Sequence, residues 1–228
     1  EKGLVGKARS RPDLVKQVIA TSKKIGRKNR FAPLSVKLKE FLGDGSGKAI
    51  TVIYRVNAGQ IPDDNWYQDP SQRGRFIGEG CHFIDLGQFL TDSMPVRVST
   101  AGIPSETRPL ILADDLVVNC RMKNGSVVSV IYNASGDDAM PKERIEVFGG
   151  NSSAVLDDFK VLTLFRNGKK QKVKGMGQDK GYRQEIEAFL KRVEEGGEPL
   201  ISFESLVATS RASFAAMESL RLQKVVEI

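Results

Sequence analysis

The chain has 228 residues, of which 40% are hydrophobic, and its formal net charge is +7. This length can bury a sizeable core in one large domain. No apolar run approaches the roughly 20 residues that cross a bilayer, and the first residues lack the apolar core of a signal peptide. Two cysteines, Cys81 and Cys120, are too few and too far apart for a disulfide framework or a zinc site. We therefore expect a reduced, cytoplasmic protein with no membrane contact.

The positive charge is concentrated at one end of the chain. Residues 1–48 hold 13 Lys/Arg against 4 Asp/Glu, whereas the remainder holds 22 against 24. Nucleic-acid binding normally combines basic residues with aromatic side chains for base stacking, and this end contains only Phe31 and Phe41 as aromatics. We expect a solvated surface or one that meets a neighbouring domain, and no nucleic-acid partner.

The first half of the chain alternates helical and extended patterns. Apolar residues at helical spacing predict helices over 11–25 and from Pro33 to Leu42. The β-branched run at 49–56 predicts a strand. A long loop from Asn57 to Gly74 follows, and loops of this length are usually functional or mobile. A further helix is predicted around Cys81–Leu90.

From Pro95 onward the pattern becomes that of β-strands. Asn124-Gly125 and Asn167-Gly168 are strong hairpin signals between alternating segments. Two helices are predicted to close the chain, over about 180–195 and 203–221, the second capped by Ser202. The strands are expected at 96–102, 114–122, 126–133, 143–148, 153–157, 160–166 and 170–174. The predicted fold class is α+β, with a large, mostly antiparallel (mixed) open sheet and helices packed on one face.

His82 is the only histidine and the strongest candidate for chemistry. It follows a glycine series, Gly74, Gly78 and Gly80, that suggests a flexible segment, and it follows the long polar loop. Asp85 shares its helix face at a spacing of three. Asp85 could hold the imidazole in one tautomer, the usual arrangement for a catalytic base. The alternatives are a purely structural histidine, and an Asp85 that pairs with Arg73 or Arg75.

Other chemistries find less support in the sequence. One histidine and scattered carboxylates do not supply the converging ligands that zinc needs. No serine lies in a G-x-S-x-G elbow, and no G-x-G-x-x-G opens a βαβ unit. The sequence therefore predicts neither a metal site, nor a serine hydrolase, nor a dinucleotide site of its own.

Several segments together resemble the Gfo/Idh/MocA oxidoreductase family, which includes glucose–fructose oxidoreductase and inositol dehydrogenase. Glu1-Lys2-Gly3 resembles the family's E-K-P signature, and NRFAPLSVKLKEFL from Asn29 resembles the crossover into the substrate domain. YRVNAG (54–59) and GRFIGEGCHFID (74–85) resemble the central strand and the histidine helix. The resemblance covers nearly the whole chain, and the 74–85 segment is its specific part.

The resemblance implies an enzyme in which a nicotinamide cofactor takes a hydride from a sugar, nucleotide sugar or cyclitol. It implies His82 as general acid/base and Lys2 as the positioning lysine near the nicotinamide, while Asp85 is expected from its spacing to be the group that orients His82. The expected cofactor is NAD or NADP in a full-length protein, with none bound to this chain alone. The expected substrate-binding residues are Asn57, Trp66, Arg73, Arg75 and Glu79.

The resemblance also divides the chain and leaves one alternative open. It implies a remnant of a Rossmann domain over 1–32 and a substrate-binding and oligomerisation domain over 33–228. Gly78 stands where the family's D-x-G-x-H motif has its aspartate, and Gly3 replaces the proline of E-K-P. The alternative function is a non-catalytic module that forms a homo-oligomer through the open face of its sheet.

Overall fold

Alternating burial along the strands reflects a sheet with one covered face. We describe the protein from a computed structural model, over residues 27–43, 48–62, 64, 65, 67, 69, 74–104 and 109–228. Within these described residues, nine strands form one sheet in the order β8-β7-β6-β5-β1-β4-β3-β2-β9. β1 pairs in parallel with β4, and the other neighbours are antiparallel. The strands are β1 Thr51–Asn57, β2 Pro95–Gly102, β3 Leu116–Met122, β4 Val127–Asn133, β5 Glu143–Gly149, β6 Ser152–Asp157, β7 Val161–Arg166, β8 Lys169–Lys174 and β9 Val226–Glu227.

The described residues contain four α-helices, and three of them cover one face of the sheet. Their bounds are α1 Pro33–Leu42, α2 Arg75–Thr91, α3 Tyr182–Glu195 and α4 Phe203–Leu222. α1 contacts β6 and β7, α2 contacts β3 and β4, and α4 contacts β2 and α2. A short 3-10 helix, Lys28–Phe31, packs against α2 and α3. The core beneath the helices is largely Val, Leu and aromatic side chains, with Tyr54 and Tyr132 among its largest buried members.

This architecture confirms the predicted α+β class with a mixed, mostly antiparallel open sheet. The Asn167-Gly168 hairpin is confirmed, and both residues have positive φ (52° and 69°), as a two-residue turn of the I′ type requires. The Ser202 cap is confirmed as well, because its hydroxyl accepts from the backbone N–H of Ser205. The predicted helix over 11–25 lies outside the described residues, and the proposed division at 32/33 stays a prediction.

Two elements differ from the sequence prediction. Helix α2 begins at Arg75, although the pattern placed a helix only around 81–90. Gly78 and Gly80 suggested a flexible segment, but the ring of Phe76 lies over Gly80, where a Cβ would come 2.3 Å from it. Glycine here is required by packing within a helix. The second difference is β9, a two-residue strand too short to leave a periodic signal.

Candidate functional site

The N-terminus of helix α2, which carries the 74–85 motif, is fixed by close backbone packing. Gly74 precedes it with φ 91°, and a Cβ there would lie 2.6 Å from the carbonyl oxygen of Ile111. Only glycine permits both the positive φ and this close approach. The beginning of the helix is therefore set by the backbone of the segment Leu110–Leu112 rather than by a capping side chain.

The inner face of α2 packs tightly on the sheet. Phe83 meets Tyr54 edge-on at a centroid distance of 4.9 Å, and Phe76 meets Tyr132 at 5.7 Å. Such aromatic pairs add about 0.5–1.5 kcal/mol beyond the area they bury. Gly87 brings the helix against Val128 of β4. His82 is half-buried and directly precedes Phe83 on this helix.

Asp85 is buried on the outer side of α2, where the 3-10 helix Lys28–Phe31 covers it. Its Oδ2 accepts from Arg30 Nε at 2.9 Å, and its Oδ1 accepts from Arg30 Nη2. Arg27 Nε lies 4.0 Å from Oδ1. Burial raises the pKa of the Asp85 carboxyl, and the guanidinium of Arg30 opposes this effect. The role of Asp85 in orienting His82 stays a prediction. In the structure, the ion pair with Arg30 anchors residues 27–31 on α2.

Arg75 and Glu79, both predicted to bind substrate, meet in one polar network. Arg75 donates to the carbonyls of Gly59 (2.7 Å) and Ala58 (3.2 Å) and to Glu79 Oε1 (3.3 Å). Glu79 Oε2 accepts from the hydroxyl of Tyr132 at 2.7 Å. Burial, with a contribution from Glu79, raises the pKa of Tyr132, so this phenol stays protonated. The network ties the start of α2 to the end of β1 and to β4, and it compensates the charge of Glu79.

Asn57, at the end of β1, holds the loop between β4 and β5 in place. Its Nδ2 donates to the carbonyls of Asp137 (2.8 Å) and Met140 (3.2 Å). Its side chain also lies so close to Gly136 that a Cβ there would come 2.2 Å from Oδ1. A substrate-binding role for Asn57 stays a prediction. The other three predicted site residues, Lys2, Trp66 and Arg73, lie outside the described residues.

Two residues that the sequence did not single out take part in this region. Arg30 binds both oxygens of Asp85, and its only sequence signal was its place in the N-R-F segment. Tyr67 packs on Gly78, where a Cβ would lie 2.8 Å from the phenolic oxygen. Its sequence signal was the neighbouring Trp66, which drew attention to the loop but not to this position.

The sequence of residues 37–155, just over half of the chain, matches the model of the GFO/IDH/MocA C-terminal domain. The chain belongs to the GFO/IDH/MocA family. This match confirms the resemblance drawn from the 74–85 motif. Comparison with curated proteins found no match.

Solved structures of oxidoreductases share the GFO/IDH/MocA fold described above. An oxidoreductase domain protein from Kribbella flavida is 18% identical with a TM-score of 0.74, and the match covers 98% of this chain and 71% of that one. An aldose-aldose oxidoreductase from Caulobacter crescentus, complexed with glycerol, is 16% identical (TM-score 0.73, 89% and 63% covered). Levoglucosan dehydrogenase, in complex with NADH and levoglucosan, is 20% identical (TM-score 0.73, 89% and 65% covered). The chain thus spans about two thirds of the length of these proteins.

No helix in the described part of the chain is both long and apolar enough to cross a bilayer. Nor do the described residues bring together three or more His, Cys, Asp or Glu side chains in a metal-binding cluster.

Proposed function

We propose that this chain is the substrate-binding and catalytic half of an NAD(P)-dependent oxidoreductase that acts on a hydroxyl or carbonyl of a sugar, nucleotide sugar or cyclitol. The observation that carries the proposal is the position of His82 on a helix fixed from both sides. Phe83, the next residue, packs on the sheet, and Asp85 is clamped by Arg30. A catalytic base must be held in a productive geometry, and a helix packed on both faces provides this.

The charges around His82 suit proton abstraction from an alcohol. The two nearest carboxylates on α2 are already paired, Glu79 with Arg75 and Asp85 with Arg30. Because both carboxylates are engaged by guanidinium groups, the imidazole is the group of this region that we assign to accept the proton. This set of side chains fits a reaction in which a hydroxyl loses its proton while its carbon loses a hydride.

In the proposed reaction, the hydroxyl proton of the substrate moves to the imidazole of His82 as the C–O bond becomes a carbonyl. A bound nicotinamide nucleotide supplies the acceptor for the hydride of the same carbon. Lys2 would then stabilise the developing alkoxide with its ammonium group. Asn57, Trp66 and Arg73 are proposed to bind the remaining hydroxyls, with an aromatic face and polar groups suited to a sugar ring.

Binding of the nucleotide itself is proposed to need a further nucleotide-binding domain. The chain spans about two thirds of the solved oxidoreductases, and its sequence has no glycine-rich dinucleotide turn. We expect the 228-residue chain alone to leave the fluorescence of its only tryptophan, Trp66, unchanged by micromolar NADH. Saturable quenching at micromolar NADH would contradict the proposal that nucleotide binding needs a further domain.

The catalytic proposal is tested in a protein that carries both domains. Purified wild type is assayed with a panel of sugars and cyclitols and either nucleotide, by following formation of the reduced nicotinamide. We expect His82→Ala to lower kcat at least about a hundredfold, because general base catalysis contributes about 10²–10⁴. Cys81→Ala, at the adjacent half-buried position, is the matched control and is expected to retain activity. Near-normal turnover of His82→Ala would exclude this histidine as the base.

The open face of the sheet supports a second proposed role, the assembly of a homo-oligomer. Val117, Phe148 and Phe165 project from the face opposite the helices and are each at least 36% exposed. Apolar side chains spread over several strands are typical of protein contacts. If this face forms a stable interface of about 800 Å² per partner, Phe148→Glu should yield a monomer in light-scattering measurements. Phe203→Glu, at an exposed position on α4, is the control; an assembly state unchanged by Phe148→Glu would contradict the proposal.

A further inference from the structure

Gly78 leaves a notch on α2 that the ring of Tyr67 fills. A Cβ built at Gly78 would lie 2.8 Å from Cε1 and from the hydroxyl oxygen of Tyr67, closer than real Cβ contacts. The backbone N–H groups of Tyr67 and Asn65 are both hydrogen-bonded. The N–H of Tyr67 donates to Asn65 Oδ1 at 3.1 Å, and the N–H of Asn65 donates to the carbonyl of Pro62 at 3.0 Å. The phenol is therefore placed against the helix by a turn, and the absence of a side chain at Gly78 makes room for it.

The same notch lies one helical turn before His82. Residues i and i+4 of an α-helix share a face, with Cβ atoms about 5–6 Å apart. Helical side chains lean toward the N-terminal end, so the imidazole of His82 leans toward the turn that contains Gly78. A phenolic oxygen 2.8 Å from the Cβ position of residue 78 is thus within reach of the imidazole.

The surroundings of Tyr67 keep its hydroxyl protonated. Burial raises the pKa of this phenol, and the nearby carboxylate of Glu79 raises it further, while Arg75 opposes the effect. Glu79 already accepts from Tyr132 and Arg75. Tyr67 is consequently a neutral group beside His82 that can both donate and accept a hydrogen bond.

We propose that Tyr67 is a positioning residue for His82, whose imidazole donates a hydrogen bond to the phenolic oxygen across the notch at Gly78. This inference rests on the proposed catalytic role of His82. The bond fixes the ring so that its other nitrogen points at the substrate hydroxyl, and it stabilises the imidazolium formed when that proton is taken up. The side chain that supports the base therefore comes from the loop and not from α2 itself.

The test uses the fact that the chain has a single histidine, because its ring signals in NMR need no further assignment. The ring nitrogen and carbon-bound proton shifts are followed against pH in the wild-type chain, Tyr67→Phe and Gly78→Ala. Tyr67→Phe keeps the ring in the notch and removes only the oxygen, whereas a Cβ at residue 78 displaces the whole ring. Both variants are expected to lower the titration midpoint of the imidazole by roughly 0.5 pH unit, because the acceptor that favours the charged ring is lost. Both are also expected to change the ratio of the two neutral tautomers.

Matched controls separate this effect from general loosening. Gly177→Ala adds a Cβ where nothing lies within 4 Å, and Tyr182→Phe removes a phenolic oxygen elsewhere; neither should move the His82 signals. Tyr67→Phe spectra that superimpose on wild type at every pH would overturn the proposal. If Gly78→Ala does not fold, the Tyr67→Phe result alone decides. The readout needs neither nucleotide nor substrate, so it can fail independently of the catalytic proposal, whose own failure is normal turnover of His82→Ala.

Discussion

The buried ion pair between Asp85 and Arg30 provides a quantitative test of how residues 27–31 are held on α2. In Asp85→Ala the guanidinium of Arg30 loses both of its hydrogen bonds to the carboxylate. The two side chains are 1% and 12% exposed, so the remaining charge stays largely desolvated. Breaking such a pair from one side costs about 3–5 kcal/mol. Because Arg30 keeps some contact with water, we expect about 3 kcal/mol.

This loss is large enough to measure without abolishing the fold. For a domain of 150–250 residues, 1 kcal/mol shifts Tm by about 2–4 °C, so Asp85→Ala should melt about 6–12 °C lower. Urea unfolding followed by circular dichroism gives the free energy directly. The double variant Arg30→Met/Asp85→Ala should recover part of the loss, because it removes the guanidinium that Asp85→Ala leaves without its partner. The recovery is incomplete because Arg27, which is 13% exposed, still loses its longer contact of 4.0 Å with the carboxylate.

The control is Glu187→Ala, which breaks an exposed ion pair with Arg183 on α3. Its urea midpoint should match that of wild type, since exposed pairs contribute little. The reasoning would be refuted if Asp85→Ala were as stable as Glu187→Ala, or if the double variant were less stable than Asp85→Ala.

Three further predictions concern packing and the two thiols. Gly87→Ala places a Cβ 2.6 Å from Val128 Cγ1. This crowding should lower the free energy of unfolding in urea by about 1–3 kcal/mol. A stability equal to that of wild type would show that α2 can move away from β4 without cost. Burial raises the pKa of Cys120 from 9.0 to about 12. The unfolded thiol ionises first, so this group should lower stability by about 1.4 kcal/mol per pH unit between these values. Cys120→Ala should reduce the slope by that amount, while the buried phenols of Tyr54 and Tyr132, whose pKa is also raised, keep a slope at the upper end of the range. A thiol reagent should label half-buried Cys81 in the native chain and Cys120 only after unfolding; equal native rates would contradict the burial of Cys120.

The sheet and most of the helices were predictable because their signals are local. Alternation at period two marks strands with one covered face, as along β3, and Asn167-Gly168 fixes its hairpin by the φ values that it favours. The start of α2 was not predictable in this way. Glycine lowers helix propensity. The glycines are explained only by the close approach of Ile111 to Gly74 and by the ring of Phe76, from the same helix, that lies over Gly80.

The site followed the same division between local and long-range information. His82 could be singled out because it is the only histidine and lies in a specific motif. The partner of Asp85 could not, because Arg30 lies 55 residues away and meets it only when the 3-10 helix folds onto α2. The contact of Tyr67 with Gly78 could not be predicted either. A glycine in the sequence indicates that a side chain is excluded there, but it does not indicate which residue occupies the space.

The most direct test of the central claim is the pH dependence of kcat/KM for sugar oxidation by a protein that carries both domains. A general base must be deprotonated to act, so the rate should fall toward low pH as the imidazole of His82 becomes protonated. The account predicts that His82→Ala is slower throughout and has lost this acidic limb. An acidic limb that persists unchanged in His82→Ala, with comparable rates, would show that another group takes the proton and would contradict the account.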